Sequence, residues 1–357
     1  MKQYPTQFKK GLIIGKFAPL NLGHINLINY ASTLCEEVLV ILSYDEKWLK
    51  TLSARDQRVL TLKNRLRWLK QVYQDISHIK IIFIDETAIS SYPEGWQAFS
   101  VLIRNALEHL PYSPDVLFSS ELAHDKFYNE YFPEIKHILV DVDHTNVPIS
   151  ANEIRQNLVE YWRYLPSVVR QDYVKRVCII GVESTGKTTL TKYLAKQFNT
   201  AWVEEYGRSY CENVLCGDEF LLTSEDYVKI AAHRKCLEET AAKNANNGVL
   251  FCDTNSFITQ FYHCLHQGYE HPVLQSFALT EKYDLILILE PNVPWVSDGL
   301  RKCGEETQRQ KAITLFQGML AKYQYDKKPV MRINAFTYRE RLEKAISLVR
   351  DTLKSRD

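Results

Sequence analysis

The 357-residue chain has almost no net charge: 44 Lys and Arg stand against 43 Asp and Glu, a formal +1. Such a balance builds no field of the kind that gathers nucleic acid or anionic lipid. No apolar run approaches the roughly 18 residues that a membrane span requires. The opening stretch, MKQYPTQFKKGLIIGKF, has its apolar run cut by Gly15 and Lys16 and fails as a secretory leader. The eight Cys are scattered singly, without a C-x-x-C pair, so reduced thiols in a cytoplasm are the expected state. Internal repeats are missing, as is the Asn-Lys-x-Asp motif of guanine readers.

What the chain has is alternation. Apolar, strand-like runs occur at Gly11–Ile14, Val38–Tyr44, Ile79–Ile84, Val116–Ser119 and Ile138–Val142. Between them lie a helical pattern through Ile25, Leu27, Ile28 and Ala31, a charged helix over Arg55–Tyr73 and another over Val101–Leu110. The basic residues of Arg55–Lys70 read as a solvated helix face. The order begins afresh with a strand at Val177–Ile180, a helix over Thr189–Phe198, strands at Val249–Cys252 and Leu285–Leu289, and a charged helix from Tyr338 to Lys354. Strands that are apolar throughout predict α/β architecture, with parallel sheets covered by helices on both faces. Two domains are expected, residues 1–170 and 171–357, joined by an aromatic-rich connector over Leu158–Lys175.

The second half opens with Gly181-Val182-Glu183-Ser184-Thr185-Gly186-Lys187-Thr188, preceded by an apolar strand and followed, from Thr189, by a helix. This is a full phosphate-binding loop in its required context. Its glycines let backbone N–H groups wrap a β-phosphate, Lys187 suits the β- and γ-phosphates, and the Thr188 hydroxyl suits Mg²⁺. Asp253, at the end of an apolar strand, is placed to hold Mg²⁺ or to take a proton from an acceptor hydroxyl. Glu204, Glu205, Tyr206 and Arg208 combine carboxylate, phenol and guanidinium, a set suited to orienting a small hydroxylated acceptor. Arg301, in Asp298-Gly299-Leu300-Arg301, and Arg309 lie in a polar, lid-like stretch and could neutralise charge on a transferring phosphoryl group. His263, Cys264, His266 and His271 match no defensible zinc spacing, and neither do Cys211 and Cys216.

The first half carries Gly15-Lys16-Phe17-Ala18-Pro19-Leu20-Asn21-Leu22-Gly23-His24, again between an apolar strand and a helix. It resembles the G-x-F-x-P-x-[HT]-x-G-H signature of the nucleotidyltransferase superfamily. Ile149-Ser150-Ala151-Asn152-Glu153-Ile154-Arg155 matches the distal I-S-x-x-x-I-R element of the same superfamily. The resemblance implies in-line adenylyl transfer, in which catalysis is positioning plus stabilisation of charge. It also implies a His24 donor to the α/β-phosphates, Ser150 and Arg155 gripping the departing pyrophosphate, and Lys16 adding charge. One position departs: Asn21 stands where the superfamily has His or Thr. A neutral amide donor is weaker than a charged one, so a domain that binds nucleotide without turning it over stays open.

In this order, and with Arg65-Leu66-Arg67-Trp68, Ser91-Tyr92-Pro93-Glu94-Gly95-Trp96-Gln97, Phe118-Ser119-Ser120-Glu121 and Asp253-Thr254 as further family-like pieces, nearly the whole chain resembles one family. It is similar to the bifunctional nicotinamide-mononucleotide adenylyltransferase/ribosylnicotinamide kinases of bacterial NAD salvage, the NadR type. The resemblance implies an N-terminal Rossmann-like nucleotidyltransferase domain and a C-terminal kinase domain. It implies ATP as co-substrate with Mg²⁺, and ribosylnicotinamide, its mononucleotide (NMN) and NAD as the other small molecules. Tyr92 and Trp96 are then plausible walls for the pyridine ring in the first half, and Glu205, Tyr206 and Arg208 for the riboside in the second, with core packing the competing role for each aromatic. Some members carry a helix-turn-helix domain and repress transcription; the ten or so residues before the first strand leave no room for one, so specific DNA binding is not expected. A link to a riboside permease is a family trait that nothing in this sequence shows, and self-association stays open. Another phosphorylated acceptor, such as pantetheine phosphate, would suit the same first-half fold.

Overall fold

Ten short runs become strands in the computed structural model, which describes residues 6–90, 92–111, 113–143, 145–292 and 306–354. Ser91 and the 298–301 segment, with Arg301, therefore lie outside the described residues. Contacts divide the chain into two compact units, one running to Asp172 and the other starting at Tyr173.

In the first unit the strands are β1 (Phe8–Gly15), β2 (Cys35–Tyr44), β3 (Ile79–Asp85), β4 (Val116–Ser119) and β5 (Lys136–Leu139). All pair in parallel, in the order β3-β2-β1-β4-β5. The order reverses at β1, which lies between β2 and β4, and such a switch point opens a crevice beyond the carboxyl ends of the strands. The Gly15–His24 signature leaves β1 at that crevice. On one face Leu12, Leu39, Ile41 and Leu117 pack with Trp96, Phe99 and Ile103 of the Trp96–Glu108 helix. Their alternate neighbours Ile13, Val38, Val40 and Phe118 are buried too, which is why these strands read as unbroken apolar runs.

The second unit holds β6 (Lys175–Ile180), β7 (Trp202–Val203), β8 (Val249–Asp253), β9 (Leu285–Leu289) and β10 (Val330–Ile333). Their order is β10-β9-β6-β8-β7, all parallel. The phosphate loop leaves the central strand β6, and the register pairs Ile179 with Asp253, so the carboxylate ends beside the loop.

Three expectations are corrected. The strand expected at Ile138–Val142 lies at Lys136–Leu139. The single helix over Arg55–Tyr73 is two helices, Ala54–Val59 and Leu62–Val72. The Thr61 side chain caps the second by accepting from Asn64 N at 3.3 Å, a local bond that competes with helix continuation. Nor is this stretch a wholly solvated face: Arg65 and Trp68 are fully buried. Arg65 Nη1 donates to Lys16 O at 2.8 Å, and its guanidinium lies 5.3 Å from the centre of the Tyr44 ring. It is a brace for the signature loop.

Candidate nucleotide and acceptor sites

A cavity of about 380 Å³ opens at the β1/β4 switch point. Gly15, Lys16, Phe17, Asn21, Gly23, His24, Tyr92, Trp96, Ser150 and Arg155 all line it. Signature and distal element thus meet around one space. The local reason begins with the Leu22–Leu34 helix. Asn21 caps it, its Oδ1 accepting from His24 N at 3.0 Å, while His24 Nδ1 accepts from Asn21 N at 3.3 Å. With Nδ1 accepting, the His24 proton sits on Nε2. Burial lowers the His24 pKa to about 4, so the ring is a neutral donor at physiological pH. Phe17, at a left-handed φ of 48°, sets its ring edge-on to His24 at 5.2 Å.

Ser150 caps the Ala151–Gln156 helix and hydrogen-bonds the Glu153 carboxylate at 2.7 Å. Arg155 lies in the last turn of that helix, where it donates to Ala18 O and to Asn152 Oδ1. Its guanidinium lies 5.3 Å from the Trp48 ring centre, as does Lys16 Nζ. Lys16 forms an ion pair with Glu86 and lies 3.7 Å from Asp45. The other Glu86 oxygen accepts from Tyr92 Oη at 2.7 Å. Burial and that carboxylate raise the Tyr92 pKa, so the phenol stays protonated. Trp96 is buried, stacked on Phe127 at 4.8 Å and packed edge-on against Phe99, His124 and Tyr128, yet it also lines the cavity. It is core and wall at once.

Sequence reasoning missed Trp48, Glu86 and a linear chain of polar groups that ends at the cavity. In that chain His137 Nδ1 meets Asp125 Oδ1 at 2.6 Å and His137 Nε2 meets Ser119 Oγ at 2.8 Å. Ser119 faces the cavity. These residues come from separate strands and helices, and no local spacing links them.

In the second unit Gly181 and Gly186 are required by the backbone. Gly181 has φ 156°, and a Cβ there would sit 2.8 Å from Leu289 O. Gly186 has φ 84°, and its Cβ would sit 2.8 Å from Tyr338 Cε1. Thr185 Oγ1 donates to Val182 O at 2.9 Å and Lys187 Nζ donates to the same carbonyl at 3.1 Å. Thr188 Oγ1 donates to Asp253 Oδ2 at 2.5 Å. Hydroxyl and buried carboxylate form a hard oxygen pair, which fits Mg²⁺. Thr189 is exposed on the following helix, Lys187–Gln197, while Ser184 adopts φ 58° within the loop.

Glu205, Tyr206 and Arg208 come together around a cavity of about 60 Å³, with Tyr227, Arg234, Thr254 and Tyr262. The Tyr206 and His233 ring centres lie 4.2 Å apart, tilted by 31°. Beneath, the buried Arg234 meets Glu281, Glu238 at 3.0 Å and Tyr283 Oη at 3.2 Å. A smaller cavity of about 20 Å³ holds Glu183, Arg309 and, again, Tyr262. Arg309 Nη2 donates to Pro291 O at 3.3 Å. The histidines set aside above make ordinary bonds: His263 to Ser224 Oγ and Tyr269 O, His266 to Tyr227 Oη, while His271 caps the Pro272–Thr280 helix.

Arg341 was also missed. It sits in the charged Tyr338–Lys354 helix but is 1% exposed. Its guanidinium donates to Thr185 O at 2.6 Å, Ala335 O at 2.9 Å and Glu290 O at 2.8 Å, and also bonds Asn292.

Two parallel sheets, each carrying its own phosphate-handling loop at the end of a central strand, define a protein that joins a nucleotidyltransferase to a phosphate-loop kinase. Residues 12–157 match the cytidylyltransferase-like family and residues 176–341 match the AAA domain family. The trifunctional NAD biosynthesis/regulator protein NadR of Escherichia coli (strain K12) is 36% identical over 355 residues, covering 98% of this chain and 85% of that protein. A crystal structure of NadR protein in complex with NR superposes with a TM-score of 0.75 at 25% identity, covering 99% of this chain and 98% of that one. Another, in complex with NAD and AMP-PNP, gives 0.74 at 25% identity over the same shares. The chain belongs to the NadR family.

Proposed function

We propose that the chain performs two consecutive steps of NAD salvage. The C-terminal half transfers the γ-phosphoryl group of ATP to ribosylnicotinamide. The N-terminal half then joins the resulting mononucleotide to the adenylyl group of a second ATP, giving NAD and pyrophosphate.

The observation that carries this reading is the acceptor cavity beside the phosphate loop. Glu205, Tyr206 and Arg208 line it together with Tyr227 and Tyr262, giving aromatic surface for a pyridine ring and polar groups for ribose hydroxyls. Its support from relatives is the fold match to the NadR protein crystallised with NR.

In the kinase half Lys187 would bridge the β- and γ-phosphates once its bond to Val182 O is exchanged for the nucleotide. Thr188 and Asp253 would hold Mg²⁺, which when bound neutralises phosphate charge. Arg309, and Arg301 from its lid-like stretch, would approach the transferring group. In the adenylyltransferase half the chemistry needs no covalent intermediate. His24 would donate its Nε2 proton to a phosphate oxygen as a neutral group, and Arg155 and Ser150 would hold the departing pyrophosphate. Tyr92 and Trp96 would flank the pyridine ring. The Asn21 side-chain oxygen is committed to the helix cap; this leaves the amide N–H₂ as the end that replaces the His or Thr donor.

A cytoplasmic site of action belongs to this reading, since ATP and the mononucleotide are found there. Among the described residues no helix is long and apolar enough to cross a membrane. Incubation with Mg-ATP and ribosylnicotinamide, following mononucleotide, NAD and pyrophosphate separately, tests it. All three should form. Mononucleotide without NAD or pyrophosphate would reduce the first half to a nucleotide-binding module, and no product at all would overturn the substrate.

A further inference from the structure

Glu183 is an anionic residue inside an anion-binding loop. Its Oε1 is buried and has no hydrogen-bond partner among the described residues. Leaving a buried polar atom unsatisfied is destabilising, and more so for a charged group. A carboxylate beside a polyphosphate adds Coulomb repulsion. Neither cost is repaid by ATP, whose phosphates need donors and cations.

The neighbouring groups narrow the role. The metal-side carboxylate is already supplied: Asp253 accepts from Thr188 at 2.5 Å. Lys187 Nζ donates to Val182 O. Glu183 opens instead on the small cavity that it shares with Tyr262 and Arg309. Tyr262 also walls the larger cavity that holds Glu205, Tyr206 and Arg208. Glu183 therefore lies one side chain, Tyr262, away from the acceptor cavity, with an oxygen that has no donor among the described residues. An acceptor rich in hydroxyls brings one.

We infer that Glu183 accepts a hydrogen bond from a hydroxyl of the acceptor's sugar, and so binds and orients the phosphoryl acceptor rather than the nucleotide. This rests on the kinase reading above and assigns its acceptor side. Removing the carboxylate then weakens the riboside and leaves the nucleotide alone, or binds it tighter because repulsion is relieved.

The test is binding to the full chain by calorimetry, for wild type, Glu183→Gln and Glu183→Ala. The ligands are Mg-ADP, ribosylnicotinamide, and its 2′-, 3′- and 5′-deoxy forms. A lost hydrogen bond to a charged group predicts roughly 10- to 100-fold weaker riboside binding in Glu183→Ala, less in Glu183→Gln, which keeps a neutral acceptor. Mg-ADP affinity should stay within about twofold or rise, which also certifies the fold. One deoxy analogue should bind wild type as weakly as the riboside binds Glu183→Ala, and lose little more in that variant, because both changes remove the same bond. Equal riboside affinity in all three proteins, or no coupling to any of the three hydroxyls, overturns the assignment, as does a parallel loss of Mg-ADP. A wild type that does not bind the riboside instead overturns the kinase reading itself.

Discussion

Arg341 Nη1 donates to the carbonyl oxygen of Thr185 at 2.6 Å across 156 positions of sequence. The same guanidinium holds Ala335 O and Glu290 O, so one planar fork ties the phosphate loop to the ends of two other segments. A lysine there would keep the charge but not the fork. Arg341→Lys should therefore fold, melt lower, and bind Mg-ATP roughly tenfold more weakly, each lost bond being worth about 1 kcal/mol net. Calorimetry on the variant checks this. Unchanged ATP affinity with a lower melting point would make Arg341 a brace for the terminal helix alone.

Asn21 offers a substitution that separates cap from chemistry. Asn21→Asp keeps an oxygen to accept from His24 N, so stability should hold, but it removes the amide donor and puts a negative charge in the cavity. Pyrophosphate release should fall by about 10²-fold or more, in the range of single-donor deletions. Asn21→Ala, which loses the cap as well, should also destabilise by about 1 kcal/mol. Undiminished release by Asn21→Asp would remove Asn21 from the catalytic machinery.

Gly186→Ala places a Cβ 2.8 Å from Tyr338 Cε1 at a φ of 84°. Riboside phosphorylation should be lost while adenylylation of supplied mononucleotide persists. Adding Tyr338→Ala should not restore it, because the left-handed backbone strain remains. Recovery in the double variant would show that the clash alone was responsible.

The pH dependence of stability follows from His24, whose pKa falls from 6.5 to about 4 on burial. Between those values the unfolded chain binds the proton and the folded chain does not. Stability is thus fully present above pH 6.5 and declines as pH falls toward 4. The melting temperature should drop across that window, and the drop should be shallower in His24→Gln. A parallel profile for the variant would assign the loss to other groups.

Most of the sheet structure was legible because parallel strands buried on both faces are continuous apolar runs; β4 and β9 coincide with theirs. β7 is two residues long, and β10, VMRI, exposes Met331 and Arg332, so neither gives such a run. The glycine-rich loops were legible because their chemistry is local. Arg65 and Arg341 were not, since each reads as one more charge on a polar helix. Only the tertiary fold brings backbone carbonyls from other segments to satisfy them. The link from Ser119 to His137 and Asp125 was hidden for the same reason: β4, β5 and the Asp125–Tyr131 helix meet in space, not in sequence.

Glu86 holds Lys16 with one oxygen and Tyr92 with the other, and this has a kinetic consequence. A polyphosphate that draws Lys16 away leaves the carboxylate to the phenol alone, so the Tyr92 wall of the cavity stiffens only after the triphosphate has arrived. Ordered addition is the expected outcome, ATP first and mononucleotide second. Isotope trapping should then capture prebound ATP efficiently and prebound mononucleotide poorly, and Glu86→Gln should blur the sequence of arrival.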